Sequence, residues 1–161
     1  MLDSKIQLFL KERDNVENRR KLWLNSTKND LREILNKNVV TYKNVDWYVD
    51  GHESQENYQS VYLSINNKLS GIKTPDGKPL ILMGGALHFS QIINGKIRVW
   101  MEYPYIEDFA YHNPSHEVFD DIEPIELTEN AIEKYISLFI QKQLDSSLQA
   151  ERRPIGFHPK S

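Results

Sequence analysis

Cysteine does not occur among the 161 residues. That excludes disulfides, thiolate nucleophiles and cysteine-held zinc or iron–sulfur centres, and it fits a reducing compartment. No apolar run approaches the roughly 18 residues needed to cross a bilayer. The opening MLDSKIQLFLKERD has a short apolar patch broken by Lys5 and Gln7, with neither the apolar core nor the cleavage site of a secretory leader. A cytoplasmic location without membrane contact is expected. Charge of one sign is also lacking: 20 Lys and Arg stand against 23 Asp and Glu, for a net charge of −3. A phosphate-binding surface needs an unopposed basic patch, so no nucleic-acid partner is expected. Arg13, Arg19, Arg20 and Lys21 are interleaved with Glu12, Asp14 and Glu17, as on a solvated helix face. Phosphate loop, dinucleotide fingerprint, G-x-S-x-G elbow, H-E-x-x-H and EF-hand loop are all missing, and no cofactor is implied.

What the chain does contain is an apolar, β-prone run from Lys78 to Tyr105, interrupted by Asn94-Gly95. Asn-Gly between hydrophobic runs signals a hairpin, because both residues tolerate the positive φ of a type I′ turn. With these two as the whole loop, Ile92 faces Ile97, Ser90 faces Val99, His88 faces Met101 and Ala86 faces Tyr103. That side reads as core, with His88 its odd member. The other side pairs Phe89 with Trp100, Gln91 with Arg98 and Leu87 with Glu102. A three-residue loop with Gly95 in a bulge would shift the register by one and exchange every partner. Gly84-Gly85 marks a bend in a long curved strand.

Residues 4–37 hold neither Pro nor Gly and carry apolar residues at helical spacing, from Ile6, Phe9 and Leu10 to Leu31, Ile34 and Leu35. Their charged middle predicts either a helix that projects from the body or a break near Asp14-Asn15. A projecting half would leave Ile6, Phe9 and Leu10 uncovered, with a second copy of the chain as natural partner. Val39–Asp50 and Tyr58–Ile65 read as strands joined by a polar loop. Thr74-Pro75-Asp76-Gly77 has the composition of a type I turn, so the second strand continues through Leu69–Lys73 before reversing into Pro79, or Asn66–Lys78 is one long loop. Ile106–Pro124 reads as an acidic loop pinned by Phe109, Tyr111, Phe119 and Ile122. A last helix opens at Thr128, with Leu127 and Ile132 placed for a hydrophobic staple.

The expected fold is therefore α+β: a long N-terminal helix, a four-stranded antiparallel meander, and a C-terminal helix on one sheet face. Residues 1–150 are expected to form one domain, with 151–161 a tail. The second sheet face, carrying Phe89 and Trp100, is too apolar for water on this reading and calls for a partner or a cavity.

Four groups of residues are candidates for chemistry. His112, His116 and Glu117 could form a metal site, although Pro114 works against the regular helix that would align the histidines. Asp50-Gly51-His52-Glu53 displays polar groups at a turn, which Asp-Gly also needs for its own sake. His88 with Tyr62 and Tyr103 reads as a satisfied core histidine, or as a general acid–base group at a cavity on the curved sheet. Glu102 points away from it in the two-residue register. Phe89, Arg98, Trp100, Trp47 and Tyr105 are the candidate anchors for a protein partner. The leading expectation is a non-enzymatic protein-binding or adaptor domain, dimeric, presenting a sheet face and the acidic loop. A small-ligand domain or minor enzyme near His88 is the alternative, and a metal-dependent activity at His112 and His116 comes after it.

Overall fold

The computed structural model describes residues 1–52, 59–107 and 115–152, and side chains through residue 146. Helix α1 (Leu2–Leu22) passes through a π-helical turn (Trp23–Thr27) into α2 (Lys28–Thr41) without leaving helical backbone angles. The buried residues here, Trp23, Thr27, Leu31 and Leu35, recur every four positions. Four residues overshoot a helical turn by about 40°. A wider turn, closed by the Lys28 N–H on the Trp23 carbonyl, keeps them on one side.

Near Asp14-Asn15 the helix does not break, and none of the α1 residues is buried. Its last turns are tied down where the Arg19 guanidinium donates to Glu123 at 2.7 Å and to the Asn94 carbonyl at 3.1 Å. Ahead of that anchor the helix projects.

The strand expected from Val39 is corrected. Val39, Val40 and Thr41 continue α2, because Val39 packs against the core and that contact overrides the β preference of branched side chains. A short 3₁₀ turn and a left-handed Asp46 (φ 59°) then start β1 (Trp47–His52).

The meander is richer than four strands: among the described residues eight strands form two antiparallel sheets. The larger has the order β1, β2 (Ser60–Ile65), β5 (Ala86–Gln91), β6 (Ile97–Glu102), β8 (His116–Ile122). The smaller has the order β3 (Lys68–Lys73), β4 (Pro79–Met83), β7 (Tyr105–Ile106). The chain leads from β2 into β3, from β4 into β5 and from β6 into β7 with only two residues between. Three ribbons are therefore bent where the two sheets meet, as Gly84-Gly85 predicted. Gly85 adopts φ 83°, and a Cβ there would stand 2.7 Å from the Glu102 carbonyl oxygen. The Thr74–Gly77 turn forms, closed by the Gly77 N–H on the Thr74 carbonyl at 2.9 Å.

The hairpin between β5 and β6 takes the three-residue loop. Gly95 sits at φ 80°, its N–H donates to the Ile92 carbonyl, and Ile92 N–H donates to Lys96. Leu87 accordingly faces Met101, Phe89 faces Val99 and His88 faces Trp100. The two-residue register is overturned, and with it the pairing of Phe89 with Trp100. Alternation explains the outcome: only this register gathers Leu87, Phe89, Ile97, Val99 and Met101 on one buried face.

Part of the expected acidic loop is also a strand. His116–Ile122 pairs with β6, and the register slips between Val99 and Trp100, so that Phe119 is the extra residue of a bulge. Phe109 and Tyr111 lie outside the described residues. Helix α3 (Glu129–Arg152) starts as expected, with the Ala131 N–H on Thr128 Oγ at 3.3 Å and Leu127 and Ile132 buried. It runs through Arg152, past the expected start of the tail.

Trp23, Leu31 and Leu35 from the first helical segment and Ile132, Ile136 and Phe139 from α3 cover the inner sheet face. The hairpin's apolar side is thus sealed within one chain. Uncovered grease on the hairpin, the ground for expecting a companion there, is gone.

Candidate functional site

Successive strand residues face opposite ways, so the residues between the core positions line the outer face of the larger sheet. The registers set Asp50, Tyr62, His88, Trp100 and Val118 side by side across its five strands. The neighbouring row holds Tyr48, Ser64, Ala86, Glu102 and His116. Rings touch along these rows. His52 and Tyr62 have centroids 5.2 Å apart, as do Tyr62 and His88. The His88 imidazole stacks on the Trp100 indole at 4.0 Å, and His116 meets that indole edge-on at 6.1 Å. Trp100 is fixed from its other end, its Nε1–H donating to Ser90 Oγ at 3.0 Å.

His88 is only 7% exposed although it lies on the outer face, because Tyr62 and Trp100 close over it. Its Nε2 has no hydrogen-bond partner among the described residues. Glu102 Oε2 stands 3.6 Å away, beyond hydrogen-bond reach. Burial pushes the imidazole below its ordinary value of 6.5, against the opposing pull of the Glu102 charge. Burial likewise pushes the Tyr62 hydroxyl up, helped by the Asp50 carboxylate.

At the bend, between this face and Met83 and Tyr105 of the smaller sheet, lies a cleft of about 230 Å³. Tyr48, His52, Tyr62, His88 and Glu102 line it from the larger sheet. Chemically the arrangement offers one carboxylate, two imidazoles and several aromatic side chains.

The structure brings together some of the residues expected at a site and separates others. Tyr62 and His88 are neighbours, but Tyr103 turns away and donates its hydroxyl to Glu117 Oε2 at 2.5 Å. In its place stands Glu102, which the two-residue register had sent to the opposite face. Phe89 is wholly buried in the chain's own core and offers no surface to a partner, while Trp47 is nearly buried but also lines a cleft between α2 and α3. Trp100 remains on the outer face, Tyr105 lines the cleft, and Arg98 holds Asp121 through two bonds of 2.8 Å. His116 and Glu117 are successive residues of β8 and point to opposite faces, which prevents them from sharing a metal. Glu117 is occupied by Tyr103 and by Lys142 at 3.1 Å. His112 lies outside the described residues, and among those described no cluster of three metal-ligating side chains occurs. Glu102 is the site residue that the two-residue register sets aside, and the strand alternation around His88 is the signal that places it. No described helix is long and apolar enough to cross a membrane. No family model, curated protein or solved structure matches this chain, so its own geometry is the sole ground for a functional reading.

Proposed function

We propose that the chain is a protein-binding domain, an adaptor rather than an enzyme, which docks a partner polypeptide across the outer face of the larger sheet. The observation behind it is the line of rings from His52 through Tyr62 and His88 to Trp100 and His116 on the side opposite the helices. Trp and Tyr supply most of the energy at protein interfaces, since each gives a large, stiff contact area with a polar end. Held by stacking and by the Ser90 bond, Trp100 loses little freedom on binding.

Self-association belongs to the same proposal but uses another surface. Leu2, Ile6 and Phe9 recur at helical spacing along the projecting half of α1 and are 70%, 43% and 64% exposed. Three apolar side chains in a row on a solvated helix suit a second copy better than water.

Affinity capture with the intact chain, run beside a Tyr62→Ala/Trp100→Ala double variant, tests the docking face. A partner retained by the intact chain and lost from the folded variant is the expected result. Equal capture by both would refute it. Sedimentation of the intact chain and of Phe9→Glu tests the helix, and a monomer in both cases would remove self-association.

A further inference from the structure

The cleft at the bend has an unusual balance of groups. Neither Lys nor Arg lines it, which leaves an anionic ligand without a counter-charge. Apolar side chains are few, and about 230 Å³ is below the usual range for a drug-sized ligand, so it suits a head group. Its one carboxylate, Glu102, forms no ion pair with Lys or Arg among the described residues. Its Oε2 stands 3.6 Å from His88 Nε2, too far for a hydrogen bond. His88 is more than nine-tenths buried and its Nε2 is left without a partner, which is costly for a polar atom. Carboxylate and imidazole therefore face the same space without satisfying each other. Tyr48, Tyr62 and Tyr105 are the aromatic residues that line it.

We propose that this cleft binds an organic cation, an ammonium or guanidinium group, held between the Glu102 carboxylate and the surrounding tyrosine rings. Such groups carry donors and no acceptors. That matches a site offering a carboxylate and no basic side chain. A ring face attracts a cation through its quadrupole, and the attraction grows where water is excluded. A metal ion is a poorer fit, because the described residues hold no cluster of three ligating side chains. The same head group could arrive on a free amine or on a Lys or Arg side chain of a polypeptide. The cleft shares His52, Tyr62 and His88 with the docking face proposed above, but the inference needs no polypeptide partner, and cation binding in the titration is read independently of partner capture.

The test is a nuclear magnetic resonance titration of the full chain with butylammonium, butylguanidinium, butanol and butyrate, and with a blocked Gly-Arg-Gly tripeptide. Saturable shifts at His88, Glu102 and Tyr62 are expected with the cations and not with butanol or butyrate. Glu102→Gln removes the charge from a side chain that is 37% exposed, so the fold should be kept. It should weaken cation binding by roughly tenfold or more, the usual effect of losing a charge-assisted hydrogen bond. Tyr62→Leu should weaken it several-fold while leaving the carboxylate in place. Tighter binding of the tripeptide than of butylguanidinium would assign the cation to a polypeptide, and the reverse order to a free small amine. Shifts that map elsewhere, an equal response to butyrate, or binding unchanged in folded Glu102→Gln would overturn the proposal.

Discussion

The imidazole of His88 lies flat on the indole of Trp100, with centroids 4.0 Å apart and planes 8° from parallel. The pair exists because a three-residue turn sets these residues opposite each other on β5 and β6. It buries a histidine on the face of a sheet that the helices leave open. The titration of His88 follows from that burial.

His88 should titrate below 6.5, since burial outweighs the Glu102 charge and His52 adds a smaller push in the same direction. Its folded value lies below its unfolded one, so the unfolded chain takes up the proton first. Stability should then decline as pH falls below 6.5 and continue to decline down to the folded value. Glu102→Gln should lower the value further, and Trp100→Ala, which uncovers the ring, should raise it. Imidazole resonances followed against pH check both. A histidine at or above 6.5 in the intact chain would refute this account.

Phe89 and Trp100 should respond differently to truncation. Phe89 is fully buried against Val99 and the helices, and Phe89→Ala should cost about 3–5 kcal/mol. Trp100 is half-buried on the outer face, and Trp100→Ala should cost less than about 2 kcal/mol. Denaturant unfolding measures both. Equal costs would mean that they share an environment, as the discarded register required.

Gly85→Ala should destabilise strongly. Its φ of 83° is left-handed, and a Cβ would stand 2.7 Å from both Glu102 O and Gln143 Nε2. Left-handed backbone costs an L-residue about 1–2 kcal/mol, and overpacking about 1–3 more. A loss of roughly 2–5 kcal/mol is expected in thermal or denaturant unfolding. A variant as stable as the intact chain would show that the bend does not depend on this glycine.

Alkali should destabilise the fold through Tyr103 and Tyr135, whose hydroxyls are pushed up to about 12 by burial, with Glu117 and Asp120 beside them. The folded values exceed the ordinary 10, so the stabilising contribution is complete below 10 and is lost as pH rises through the folded values. An ultraviolet titration should show Tyr103 and Tyr135 ionising late in the native chain and normally in denaturant, with Tyr62 displaced in the same direction. Tyr103→Phe and Tyr135→Phe should each remove one late step.

Several parts of this fold were legible from local chemistry. The Thr128 cap, the Leu127–Ile132 staple, the Thr74–Gly77 turn and the bend at Gly84-Gly85 each depend on residues close together in the chain, and each stands where it was expected. The hairpin register was legible too, but not from the turn alone. Asn94-Gly95 fits two loop lengths, and turn composition alone favours the wrong one. Weighing the alternation of Leu87, Phe89, Val99 and Met101 would have chosen the other. Strand β8 was hidden because its bulge at Phe119 breaks the period of two, and its acidic residues resemble a loop. The helical end of α2 was hidden because Val39-Val40-Thr41 prefers extended backbone until the core claims Val39.

The sequence by itself determined the class of fold, its turns and caps, and the absence of thiol chemistry, since these follow from neighbours and from composition. Only the tertiary structure decided which residues meet on the outer face. One residue of register, set by whether Gly95 counts as part of the loop, moves Glu102 from one side of the sheet to the other. Which side won was a matter of how much apolar surface the helices could cover, and that depends on residues far apart in the chain.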